Sequence, residues 1–403
     1  MSKFALRPAL LALSLSAAFS AHAADNDFSY RFSGFGTLGY AQTDSNDVLM
    51  TNGSQLKGAD KSGSFLLDSR LGGQLDLTFN PRLSATVQAI ALQDAKGKFR
   101  PRLEWAFVRY NLTNDVSVRV GQLGWPAYLV SDFRYVGYAN NWLRPPLEVY
   151  NLAALDNFQG ADVDWTHSVG SGYLTLKVLG GHAENDLPDS SNHSAKLRVN
   201  SLMGAYATYE IGNLRMRGGI STGKVSYTTQ TLDGLYAGLD FTGFGDVTHK
   251  LALRNSRTNF ASIGATYDAN NVMITGEYAD RRSSSLLLGH SHGWYVTGGY
   301  RFGNVMPYVT YAGYYKRNDS NEASVPMVGP LVPLSVGVQG LVQQDSQHDV
   351  ALGARWDLHS NIALKAQVDH VMPSVYGGTF TNVQPGYHGQ AVNVYSAVVD
   401  FVF

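Results

Sequence analysis

The sequence contains no cysteine among its 403 residues. Disulfides and thiolate metal sites are therefore excluded, and the fold must be stabilised by other means. An excess of charge of one sign is also lacking, because 31 Lys and Arg residues stand against 32 Asp and Glu residues. This balance gives no electrostatic basis for binding a polyanion. We therefore expect no nucleic-acid partner, and no motif indicates a cofactor.

Long apolar runs are missing beyond the N-terminal segment. Residues 1–23 carry two basic residues, Lys3 and Arg7, near the start, continue with an apolar stretch and end in Ala-His-Ala, which is the layout of a secretory signal peptide. The apolar stretch is well short of the roughly 20 residues that a membrane-spanning helix needs. We expect cleavage after Ala23, which leaves a mature domain of residues 24–403.

The sequence does contain many stretches in which apolar and polar residues alternate. Between residues 65 and 79, leucines such as Leu75 alternate with polar residues such as Asp76. The same period of two recurs at residues 116–120, 174–178, 214–217, 349–358 and 362–369. Segments of about ten residues with one apolar and one polar face are typical of strands that cross a membrane as a closed sheet. We therefore predict an all-β fold, a transmembrane antiparallel β-barrel.

The connections between these segments fall into two classes that alternate along the chain. Seven are short and rich in Asn, Asp and Gly, which favour tight turns. Eight are longer, at residues 43–62, 95–100, 124–156, 183–195, 227–256, 284–289, 318–343 and 374–390. This alternation predicts about 16 strands, with short turns at one rim and long loops at the other. Residues 231–256 could hold one further short hairpin.

The first and last strands carry a resemblance to a known family. The chain ends in an alternating strand whose last residue is Phe403, which resembles the assembly signal of Gram-negative outer-membrane proteins. The strand from Phe28 to Gln42 is similar to the first strand of the general porins. This likeness of plan covers essentially the whole mature chain.

The resemblance to porins implies a function and a set of partners. It implies a water-filled channel in the outer membrane of a Gram-negative bacterium, through which small hydrophilic solutes and ions diffuse passively, and no enzymatic activity. It further implies contact with outer-membrane lipid, recognition of Phe403 by the barrel-assembly machinery, and a homotrimer.

One long connection, residues 124–156, carries unusually many aromatic side chains for an exposed loop. It follows the predicted fifth strand and thus corresponds to the third external loop, which in trimeric porins folds into the lumen and narrows it. Its Ser-Asp-Phe-Arg and Trp-Leu-Arg-Pro-Pro segments resemble those of a porin-like group, but the Pro-Glu-Phe-Gly-Gly signature of enterobacterial porins is missing. The aperture therefore cannot be carried over, and a loop that caps the mouth remains the alternative.

Charged residues on the predicted wet faces and in this loop are the candidate functional residues. The candidates on the wall of the pore are Arg31, Asp68, Arg70, Arg119, Lys177, Arg215, Arg217, Arg355 and Lys365. Those in the constriction loop are Asp132, Arg134, Arg144, Glu148 and Asp156. Wall bases facing loop acids would set a transverse field that orients dipolar solutes. Alternatively, each charge merely pairs with a neighbour across the strands.

Two other functions remain open from the sequence. The excess of arginine on wet faces would also suit an anion-selective or substrate-specific channel. An outer-membrane barrel enzyme would need a cluster of Ser, His or Asp at the rim, and no such catalytic set can be assembled from the sequence.

Two short motifs match known sites but lie in strand sequence. Gly34-x-Gly36-x-x-Gly39 matches the dinucleotide fingerprint, which requires a strand followed by a helix; close packing against a neighbouring strand is the better interpretation. His290-x-His292 places two imidazoles on one face of a strand, which suits a metal ion. No third ligand can be identified in the sequence, so we expect a solvated pair near the rim and no metal site.

Overall fold

The computed structural model describes residues 28–189, 194–318 and 323–403. Within these ranges, sixteen antiparallel strands form a closed barrel in which each strand pairs with its neighbours in sequence and the last pairs with the first. The prediction of a 16-strand antiparallel barrel is confirmed. The proposed signal peptide, residues 1–23, lies outside the described residues.

The strands vary in length between the two rims. They are β1 (Ser29–Thr43), β2 (Arg70–Asn80), β3 (Leu83–Gln93), β4 (Phe99–Asn111), β5 (Val116–Gly124), β6 (Asn157–Val169), β7 (Gly172–Pro188), β8 (Ser194–Ile211), β9 (Leu214–Tyr227), β10 (Leu253–Ala269), β11 (Val272–Ser283), β12 (His290–Tyr300), β13 (Val305–Arg317), β14 (Asp345–His359), β15 (Ile362–Pro373) and β16 (Val392–Val402).

Alternation places apolar side chains on the outside of this barrel. Leu71, Val296 and Ile263 are each more than half exposed, whereas Thr297, the neighbour of Val296, is fully buried on the inner side. A large apolar outer surface is stable only where lipid covers it. None of the helices in the described ranges has the length and hydropathy that crossing a membrane would need.

Three long connections differ from expectation. The one expected at residues 43–62 is longer, because β2 begins only at Arg70 and the alternating residues 65–69 precede the strand. The connection expected at residues 183–195 is shorter, because β7 continues to Pro188 and β8 begins at Ser194. In this extension the apolar side chains Leu197 and Val199 belong to the interior cluster, so the alternation continues past the predicted strand end.

Residues 227–256 contain two helices rather than a further hairpin: α2 (Gln230–Phe241) and α3 (Gly245–Leu251), with α1 (Leu147–Tyr150) earlier in the chain and α4 (Val332–Val342) later. The side chain of Thr229 caps α2 by accepting a hydrogen bond from the backbone N–H of Leu232. Helices α2 to α4 share an apolar cluster around Leu239 and Val338.

The glycines of the rejected dinucleotide motif have a packing role. A Cβ at Gly34 would lie 2.1 Å from the ring of Phe403, and one at Gly36 would lie 2.4 Å from the ring of Phe401. Gly34 and Phe403 also exchange two backbone hydrogen bonds. The small residues of β1 therefore make room for the aromatic rings of the last residues where the barrel closes.

Candidate pore constriction

The segment between β5 and β6, residues 125–156, lies against the inner face of the wall; we call it the third loop. The backbone N–H of Leu129 donates to Glu277 of β11 at 2.8 Å, and Trp142 Nε1 donates to Thr297 of β12 at 2.8 Å. The backbone N–H of Leu143 donates to the hydroxyl of Tyr308 on β13 at 3.0 Å. These three wall residues are buried on the lumen side.

A second set of contacts ties the loop to β14 and β15. Lys365 Nζ donates to the carbonyls of Gly137 and Asn140 at 2.7 and 2.8 Å, and Arg355 Nη1 donates to those of Tyr138 and Asn140 at 2.7 and 2.8 Å. The loop therefore covers Lys365 and Arg355, which are only 2% and 4% exposed. Both sequence candidates face inward, but they bind the loop and do not line open water.

Arg144 and Asp68 also form a buried contact. Arg144 Nε and Nη2 donate to the two carboxylate oxygens of Asp68 at 3.0 and 2.7 Å, and Nη2 also donates to Ser396 Oγ at 2.7 Å. Such a two-pronged arginine–carboxylate pair fixes orientation as well as charge. The assignment of Asp68 to the wall is wrong, because it lies in the connection between β1 and β2, where Arg144 of the third loop pairs with it away from open water.

Glu148 lies in α1 and packs against β14. Its carboxylate accepts a hydrogen bond from Gln347 Nε2 at 2.6 Å, and the residue is buried. Burial raises the pKa of Glu148 to about 7, although the hydrogen bond from Gln347 acts in the opposite direction. The carboxyl group is therefore poised to change charge near neutral pH.

Asp156 closes the loop at its C-terminal end. It accepts hydrogen bonds from Arg134 Nη1 at 2.6 Å, from Arg102 Nη2 at 2.9 Å and from the hydroxyl of Tyr135 at 2.6 Å. Burial alone would raise the pKa of Asp156, but the charges of Arg134 and Arg102 lower it. Arg102 and Asp156 thus join the loop to β4, and Arg134 ties Asp156 to the middle of the loop.

Asp132 is the acid of the loop that meets both water and wall bases. Its side chain is 52% exposed, and Oδ2 lies 2.9 Å from Arg217 Nη1 and 3.7 Å from Arg215 Nη2. Partial loss of contact with bulk water opposes ionisation, but the charges of Arg217, Arg215, Lys177 and Arg119 together lower the pKa of Asp132 to about 2. Asp132 therefore stays ionised at every physiological pH.

The wall beside Asp132 carries a row of bases on β4, β5, β7 and β9, which we call the basic wall: Arg109, Arg119, Lys177, Arg215 and Arg217. Asp162, between them on β6, accepts hydrogen bonds from Arg119 Nε at 2.9 Å and from Lys177 Nζ at 3.2 Å. Lys177 also contacts Asp164. The surface around the basic wall thus carries charges of both signs, and its bases outnumber its acids.

Sequence reasoning missed Arg109, Asp162 and Asp164. Asp162 and Asp164 alternate with Val163 and Trp165 as in the other strands, so period two could have found them. Arg109 stands directly opposite Arg119 across β4 and β5. That pairing depends on strand register, which the sequence alone does not give.

The remaining wall candidates lie on the first two strands. Arg31 Nη2 lies 3.2 Å from Asp76 Oδ2 across β1 and β2. Arg70 is partly exposed, while its Nε and Nη2 are buried and have no hydrogen-bond partner among the described residues. Phe403 lies at the end of the chain with its ring about half exposed.

Comparisons with known proteins agree with this architecture. Solved structures with a similar fold include OmpF of Salmonella typhi in complex with daunomycin. This structure has 15% sequence identity and a TM-score of 0.56, and the match covers 94% of this chain and 98% of that one. The outer-membrane channel DcaP of Acinetobacter baumannii has 10% sequence identity and a TM-score of 0.55, and the match covers 93% of this chain and 97% of that one. OmpT of Vibrio cholerae, in its trimer form, has 12% identity and a TM-score of 0.54, over 94% and 100%.

At these identities the likeness to solved structures shows the fold alone. No curated protein sequence matches the chain. A family model for the Gram-negative porins, however, matches residues 9–374, which is most of the sequence. The chain therefore belongs to the Gram-negative porin family and is a channel of the outer membrane.

Proposed function

We propose that this porin lets small hydrophilic solutes and ions diffuse passively between the third loop and the basic wall. The observation that carries the proposal is Asp132, a half-exposed loop carboxylate beside Arg215 and Arg217 of the wall. The rest of the loop is tied to the opposite wall, where Lys365 and Arg355 hold its carbonyls. In this arrangement the third loop narrows the lumen to the space between the loop and strands β4 to β9.

Charges of opposite sign on the two sides of this gap would produce a transverse field. Apolar walls of low dielectric constant focus such a field. The field orients dipolar solutes and favours the passage of ions of one sign over the other. Because the basic wall has five bases against four acids, Asp132, Asp162, Asp164 and Glu210, anions gain more than cations. Arg109 stands directly opposite Arg119 and adds its charge to this excess.

Swelling of liposomes tests the diffusion proposal. Liposomes that contain the folded protein should swell in solutions of small neutral sugars, at rates that fall with solute size and do not saturate with concentration. Protein-free liposomes are the control. A rate equal to that of the control would contradict the proposed pore, and a saturable rate for one solute would favour a substrate-specific channel.

The proposal includes the absence of enzymatic activity. The charged residues of the gap are held by one another, as Asp162 is by Arg119 and Lys177, which suits a fixed field better than proton transfer. Incubation of the folded protein with phospholipid and peptide substrates should leave both intact. Turnover that survives repurification would contradict this part of the proposal.

We further propose export by residues 1–23, recognition of Phe403 by the barrel-assembly machinery, and a homotrimer. The layout of the N-terminal segment supports the first. The half-exposed ring of Phe403 on the outer face supports the second. The trimer form of OmpT of Vibrio cholerae supports the third by similarity of fold. Cross-linking of the native protein in outer-membrane fragments tests the trimer.

A further inference from the structure

Three side chains on the outer face of the barrel bring metal-binding atoms together. Asp280 of β11 stands directly opposite His292 of β12, and His290 lies two residues away on the same face. One ligand atom from each of the three lies within 4.8 Å of the other two. Strand pairing thus provides the third ligand that the His290-x-His292 motif lacks in the sequence. We propose that Asp280, His290 and His292 bind a divalent transition-metal ion of the Zn²⁺ type.

The donor set fits this class of metal. Zn²⁺ prefers imidazole nitrogen and carboxylate oxygen, at about 2.0 to 2.2 Å from the ion and in tetrahedral geometry. Tetrahedral geometry places ligand atoms roughly 3.3 Å from one another. Ligand atoms that lie up to 4.8 Å apart must therefore approach by at most about 1.5 Å, whereas Asp280 Oδ2 and His290 Nε2, 2.6 Å apart, must separate by about 0.7 Å to admit the ion. All three side chains are partly exposed, so rotation about their χ angles does not disturb a packed core.

Neighbouring residues hold two of the ligands in suitable orientations. Arg282 Nε donates to Asp280 Oδ1 at 2.9 Å, which leaves Oδ2 directed at His290 Nε2, 2.6 Å away. The ring of His292 stacks on that of Tyr315, with 5.1 Å between centroids and 20° between planes. Support of this kind fixes the orientation of metal ligands. The ion would replace the direct contact between Asp280 Oδ2 and His290 Nε2.

The position of the site separates it from the channel. His290 begins β12, directly after the connection at residues 284–289. His290 and His292 alternate with Ser291 and Tyr295, which are buried on the lumen side. The ion therefore lies on the outer surface near the external rim, where it links β11 to β12. Three protein ligands leave a fourth position for water.

Calorimetric titration of the untagged, folded porin in detergent with ZnCl₂ tests the site. We expect one saturable equivalent per chain in the native protein and none in the H290A/H292A variant. Asp280→Asn should bind more weakly, and Arg282→Gln should weaken binding by about tenfold, as loss of an outer-shell partner does. The matched control is His370→Ala, which changes an outward-facing histidine on β15 that hydrogen-bonds to Asn393. This control should bind as the native protein does.

A spectroscopic measurement on the native chain avoids dependence on the folding of variants. With one equivalent of Cu²⁺ as the probe, the electron paramagnetic resonance spectrum should show coupling to two imidazole nitrogens. Absence of saturable Zn²⁺ binding, unchanged binding in H290A/H292A, or a Cu²⁺ spectrum without nitrogen coupling would each overturn the proposal. Conductance should be the same with and without Zn²⁺, because the site lies outside the lumen, so this test is independent of the proposed channel function.

Discussion

The carboxylate of Asp132 on the third loop lies 2.9 Å from the guanidinium of Arg217 on β9. This contact joins the free edge of the loop to the basic wall, while the opposite side of the loop is bound to β11 through β15. Half of the Asp132 side chain is exposed, so in the proposed pore its negative charge would face passing solutes beside the positive charges of the wall.

Replacement of Asp132 by Asn should increase the preference for anions. The change removes one negative charge from the gap and should raise the ratio of anion to cation permeability by about twofold. Reversal potentials in a KCl gradient measure this ratio. Because the pKa of Asp132 is lowered to about 2, the difference in this ratio between the native protein and the variant should persist from neutral pH down to mildly acidic pH.

The matched control for this variant is Asp246→Asn, which changes an exposed acid in α3 and should leave the ratio unchanged. An equal shift in both variants would mean that surface charge in general, and not the gap, sets selectivity.

The buried pair of Lys365 and Asp400 should matter for stability. Lys365 Nζ lies 2.8 Å from Asp400 Oδ2 and also donates to two carbonyls of the third loop. Lys365→Met leaves Asp400 as an uncompensated buried charge and should cost about 3 to 5 kcal/mol of the free energy of unfolding. Urea titration of the folded barrel in detergent measures the loss.

The double variant Lys365→Met with Asp400→Asn should recover part of this stability, because no unpaired charge remains. The loop should still be more mobile than in the native protein, and its movement should appear as added noise in single-channel current. A double variant no more stable than Lys365→Met would show that the ion pair is not the source of the loss.

Closure of the barrel should depend on the absence of a side chain at Gly34. A Cβ there would lie 2.1 Å from the ring of Phe403, so Gly34→Val should displace that ring and reduce the yield of folded protein. Gly298→Val on β12 is the matched control, since no atom lies within 4 Å of its added Cβ. The folded fraction after refolding into lipid, seen as a mobility shift without boiling, measures the effect; equal yields would contradict it.

The contact of α1 with β14 should depend on pH through Glu148. Burial raises the pKa of Glu148 from its ordinary value of 4.5 to about 7, so the folded protein holds this proton more tightly than the unfolded chain. The resulting stabilisation is complete below about pH 4.5 and is lost as pH rises through about 7, with a total of at most about 3 kcal/mol.

Glu148→Gln imitates the protonated carboxyl group and should remove this part of the pH dependence. The variant should match the native protein near pH 4.5 and exceed it in stability at pH 8, in urea titrations at both values. A native protein that gains stability between these values relative to the variant would have the opposite sign and would contradict the assignment.

The strands could be predicted from the sequence because the alternation of apolar and polar residues lies within the sequence of each strand. The alternation of residues such as Leu75 and Asp76 shows which face of the strand meets lipid. This prediction does not require the neighbouring strand to be known. The helix α2 was not predicted, because Thr229 and the apolar residues after it stand in Gly-rich sequence that also suits a hairpin.

The site depends on contacts that alternation does not determine. Lys365 and Arg119 have the same place in the pattern of their strands, yet the third loop covers Lys365 and leaves Arg119 near the gap. Which wall bases are covered depends on how the loop lies across distant strands. The pairing of Asp280 with His292 likewise depends on the register of β11 and β12.

The central claim is a pore whose ion selectivity is set by the basic wall opposite Asp132. Its most direct test is the reversal potential of single channels in a KCl gradient, for the native protein and for Arg109→Gln/Arg215→Gln. We predict stable conductance with anion preference in the native protein and a clear shift towards cations in the variant. A silent native protein, a native preference for cations, or an unchanged reversal potential in the variant would contradict the claim.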